Sequence, residues 1–114
     1  MQEAVIKKIK RENLQILQSE LFKFIGHKVA HSANCNDYTN YCNDIIVIDL
    51  AQSMFYTFKD KIESHKPFLN LALTPSQAVI LLYCCTWDKK ERSEEERFVM
   101  QFICDVLHEK LINI

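Results

Sequence analysis

The residues best suited to chemistry in this chain are His27, His31, Cys35 and Cys42. Two histidines four positions apart share one face of a helix, and that spacing can hold a metal ion. Two cysteines from a following loop would complete a tetrahedral zinc site. The spacing matches no standard zinc finger, however, and no Cys-x-x-Cys pair is present. Histidines near the end of a helix are also favoured without any metal, because they complement the negative end of the helix dipole.

The remaining reactive groups suggest less. Cys84 and Cys85 are adjacent, so on a helix their side chains diverge, and core packing explains them better than reactivity. Cys104 and His108 have the residue types of a nucleophile and base at helical spacing, but nothing marks an oxyanion hole or a third, orienting group. Lys7, Lys8, Lys10 and Arg11 could contact phosphate; interrupted by Ile9 and followed by Glu12, they read as a solvated helix face. A single glycine leaves no room for a Gly-rich phosphate loop.

The elements that must position these groups are helices. Thr74, Pro75 and Gln77 open the stretch TPSQAVILLYCCTWD with a capping box and a proline at a position that needs no N–H. Val79, Ile80, Leu81, Leu82, Tyr83, Cys84 and Cys85 then cover every direction around that helix. It is too short to span a bilayer, so it is expected to be a buried core helix over 75–87. A first helix is expected over 2–30, with Phe22 on its polar side. An Asn-rich surface loop over 32–44 follows, capped near Asn43 or Asp44. A second helix over 45–65 carries Val47, Leu50, Met54, Phe58 and Ile62 on one stripe and must stop before Pro67. Phe68–Leu73 is read as a loop or helical turn across one end. After a charged link over 88–92, Ser93 and Glu96 form a second capping box opening a helix over 94–112, with Phe98, Val99, Phe102 and Ile103 facing inward.

Composition supports this plan. The chain has 114 residues, 48% hydrophobic and 25% charged, the balance of one globular domain. One glycine and two prolines are too few for the tight turns of a sheet protein. Fourteen basic side chains against 15 acidic ones provide no global attraction to nucleic acid or anionic membrane. Met1 to Arg11 has neither an uninterrupted apolar run nor a small-residue cleavage site, so a cytoplasmic chain with its five cysteines reduced is expected.

The fold class expected is all-α: a four-helix, bundle-like single domain around a central, all-round apolar third helix. The function expected is that of a small non-enzymatic protein-interaction module. Its first partner would be a second copy, in a homodimer through Val79, Ile80, Tyr83 and Trp87, unless Phe68–Leu73 folds over that strip. No cofactor and no membrane partner are expected. The alternatives are a zinc- or small-ligand-binding protein using His27, His31, Cys35 and Cys42 or a pocket near Tyr83 and Trp87, and a nucleic-acid-associated regulator relying on the N-terminal lysines.

Overall fold

The N-terminal segment is extended rather than helical. In the computed structural model, which describes residues 3–87 and 91–112, Ala4–Lys10 forms strand β1. It pairs antiparallel with β2, Phe68–Leu73, setting Ala4 opposite Leu73, Ile6 opposite Leu71 and Ile9 opposite Leu69. The register shifts between Ile6 and Ile9, and Lys8 takes up the extra residue at φ 59° while its N–H donates to Asn70 Oδ1 at 2.9 Å. This bulge places Ala4, Ile6 and Ile9 on the buried face and leaves Lys7 and Lys8 in water. β2 alternates strictly, with Leu69, Leu71 and Leu73 inward. The expected helix over 2–30 is therefore corrected to a strand followed by a helix. Phe68–Leu73 is a strand because its inward leucines find a partner strand at the far end of the sequence; residue 2 lies outside the described residues.

Helix α1, Arg11–Ala33, starts where β1 ends, with Arg11 donating from its backbone N–H to Pro67 O and from Nε to Ile62 O. Gly26 sits within α1 rather than at its end, and open space surrounds the position a Cβ would take. The Asn-rich loop is shorter than expected. Asp37 Oδ1 accepts from Thr39 N and caps helix α2, Tyr38–Glu63, so only residues 34–37 connect the two helices. The cap thus lies six or seven residues earlier than Asn43 or Asp44. Asn40 and Asn43 are exposed on the first turns of α2, where their side chains need not compete with the helix backbone.

Helix α3, Pro75–Thr86, has the expected start: Thr74 Oγ1 accepts from Gln77 N, and Gln77 Oε1 accepts from Thr74 N. Helix α4, Glu94–Ile112, opens with the reciprocal bonds between Ser93 and Glu96. Of the charged link, residues 88–90 lie outside the described residues. Among the described residues there are thus four helices and one two-stranded sheet, mostly helical but not all-α.

All six elements contribute to a single core. Leu14, Leu17, Leu21 and Phe24 of α1 meet Met54 and Phe58 of α2, Leu71 of β2, Leu81 of α3 and Ile103 of α4. α1 and α2 form an extended antiparallel pair, α3 packs on α4 and also meets α1, α2 and β2, and β1 lies against α1 and α4. The apolar third helix is covered chiefly by α4 and α2, with α1 and β2 closing the rest, while the sheet adds its inward leucines and isoleucines to the same core.

Candidate functional site

α3 is covered largely from within the chain. Ile80 is buried, Val79 is half-buried, and Trp87, the C-cap residue, stacks on His27 with ring centroids 4.6 Å apart. Of the four residues expected to form an interface, only Tyr83 is exposed. At the end of α3 the Arg92 guanidinium donates to the carbonyls of Cys84 and Cys85, and its Nε lies 3.5 Å from the carboxylate of Glu20, which is sealed from water. Arg92 therefore both caps a helix C-terminus and brings a cation to a buried anion.

The four metal candidates do not all share one place. His27, His31 and Cys35 line one shallow depression at the end of α1, whereas Cys42 lies on α2 and is not part of its lining. His31 Nδ1 binds the buried carboxylate of Asp44, which Lys28 also approaches at 3.6 Å. Among the described residues no three of His, Cys, Asp or Glu come together in a way that could hold a metal ion.

Two thiols, Cys85 and Cys104, are biased toward their neutral form. Burial pushes Cys85 up to about 12, assisted by Cys104 and by Glu20, with Arg92 acting in the opposite direction. Cys104 is also raised, by burial and then by Asp105. Thiols raised in this way are poor nucleophiles.

A further surface with exposed apolar side chains lies where β1 runs beside α4. Phe98 and Phe102, expected inside, are 73% and 51% exposed. They stand one turn apart, and the core is reached instead by Val99, Met100, Ile103 and Leu107. Apolar residues at 98, 99, 102, 103, 106 and 107 make a stripe too broad for one contact, so only one side of it is covered. With Lys8, Ile9, Lys10 and Asn13, the two phenylalanines line a groove of about 270 Å³. A second depression continues it along the strand, between Glu3, Val5 and Lys7 on one side and Phe102, Val106 and Lys110 on the other. The lysines that the sequence offered as a helix face are thus a strand rim above an apolar floor. What the sequence alone misses is this conjunction, because β1 and α4 are at opposite ends of the chain.

The fold and this surface define a class no finer than a mostly helical protein with a small antiparallel sheet and an aromatic, lysine-rimmed groove. No protein-family model, no curated protein and no solved structure matches the chain. No helix among the described residues is long and apolar enough to cross a membrane.

Proposed function

We propose that this chain is a small, non-enzymatic protein-interaction module, and that its contact surface is the groove between β1 and α4. The observation that carries this reading is the pair Phe98 and Phe102. Two phenylalanines one turn apart, both more than half exposed, flank an apolar channel. Aromatic anchors beside a pocket, with charge confined to the rim, are what protein contact surfaces are made of. Isolated exposed apolar residues are ordinary; a contiguous set lining a groove calls for a partner. The α3 strip, once expected to be the interface, offers only Tyr83 and is a weaker candidate.

Site-specific photo-cross-linking tests the reading. A benzophenone side chain placed at Phe98 in living cells is expected to capture protein, while the same group at the exposed Gln52 of α2 captures none. An adduct of twice the 13.4 kDa chain mass would identify a second copy as the partner. Equal yields at both positions, or none at either, would remove the proposal.

A further inference from the structure

Building on that reading of the groove, we propose that its occupant is an extended segment of another protein, in which acidic residues alternate with apolar ones, added as a third strand to the free edge of β1. Three observations support this.

First, among the described residues the sheet has two strands, and β1 has β2 as its one strand partner. Both depressions lie between β1 and α4, and no residue of β2 lines either. An unpaired strand edge presents a row of backbone donors and acceptors, and pairing with an incoming strand satisfies them.

Second, the shape suits an extended chain. The two depressions follow β1 from Glu3 to Lys10 and share Phe102 between them. A strand laid along this channel would turn every second side chain toward Phe98 and Phe102 and the others outward.

Third, the charge is local and one-sided. The chain as a whole carries a net charge of −1, yet Lys7, Lys8, Lys10 and Lys110 all line this one channel, against Glu3 alone. The bulge turns Lys7 and Lys8 out of the sheet together, so two adjacent residues that would otherwise face opposite sides both reach the rim. Carboxylates at the outward positions of the incoming strand would meet these ammonium groups. The apolar floor and the aromatic wall make the occupant a peptide rather than a bare anion.

A displayed library of random peptides of about nine residues, the length that spans β1, tests this on the full chain. Binders are selected on the wild type and counter-selected on the Phe98→Ser/Phe102→Ser double variant. The expected result is enrichment of sequences alternating apolar residues with Asp or Glu. One such peptide, labelled, should lose about tenfold or more in affinity on Lys8→Glu/Lys10→Glu and weaken as salt is raised. On binding, the β1 amides that are not already bonded to β2 should gain protection from hydrogen exchange, which a peptide bound only through side chains would not produce. Enriched peptides with no acidic excess, protection confined to other elements, or no enrichment at all would each overturn the proposal. Tighter binding of a labelled oligothymidylate than of the selected peptide would overturn it in favour of nucleic acid. Cross-linking at Phe98 with a failed library would leave a protein-binding surface with a different occupant, whereas failure of cross-linking removes the surface itself.

Discussion

His31 Nδ1 donates to Asp44 Oδ2 at 2.5 Å, joining α1 to α2 across residues 13 positions apart. The carboxylate is buried, the imidazole half-exposed, and Lys28 approaches the second oxygen at 3.6 Å. A buried anion without such partners would be expensive, so this contact ties the last turn of α1 to the second turn of α2.

Asp44→Asn retains the volume and removes the charge. It is expected to cost about 2 kcal/mol, the range of a hydrogen bond to a charged group. A double-mutant cycle with His31→Ala should return a coupling of about 1 kcal/mol, measured from urea midpoints. Additive effects would mean that the two side chains do not act as a pair.

Phe58 is buried, whereas Phe98 and Phe102 are exposed. Phe58→Ala should cost about 3–5 kcal/mol through lost burial and the cavity left behind. Phe98→Ala and Phe102→Ala, and likewise Phe22→Ala, are each expected to change stability by less than about 1 kcal/mol. Comparable losses at Phe58 and Phe102 would show that α4 turns Phe102 into the core.

Gly26 lies inside α1 with open space around the position of a Cβ. Its φ is not positive, so alanine fits without strain. Gly26→Ala should stabilise the protein by about 0.5–1 kcal/mol, because glycine leaves the unfolded chain more freedom to lose. Thermal melts of the two proteins under one buffer condition are sufficient to read this shift.

Cys85 holds its proton more tightly in the folded protein than its ordinary value of 9.0 would imply. A pKa raised by folding gives stability that is complete below pH 9 and lost as pH climbs toward about 12. Denaturation midpoints should therefore fall on the alkaline side, and Cys85→Ala, although less stable at neutral pH, should show a flatter decline. Iodoacetamide at mildly alkaline pH should modify Cys35 long before Cys85, followed by mass spectrometry of tryptic peptides. Early labelling of Cys85 would contradict its burial.

The helix starts were legible because their determinants are local. Thr74, Pro75 and Gln77, and likewise Ser93 and Glu96, hold backbone groups within one turn of themselves, so three or four residues of sequence contain the whole interaction. The stripe of α2 was equally clear, since Met54, Phe58 and Ile62 recur at one helical spacing. The Asp37 cap was within reach of the same reasoning but was hidden by the four asparagines that follow or precede it.

The sheet was decided by tertiary structure. A bulge at Lys7 and Lys8 breaks the two-residue alternation of β1 and leaves Ile6 and Ile9 three apart, a spacing that also fits a helix. Its partner strand contributes Leu69 and Leu71 from sixty or more residues away, a pairing with no local signature. The same holds for the groove: Lys8 and Lys10 came with the first strand, Phe98 and Phe102 with the last helix, and only packing around the common core places one beside the other. Local hydrogen bonds and periodicity are written in neighbouring residues, whereas which apolar face remains uncovered depends on how many elements the whole chain can bring to it.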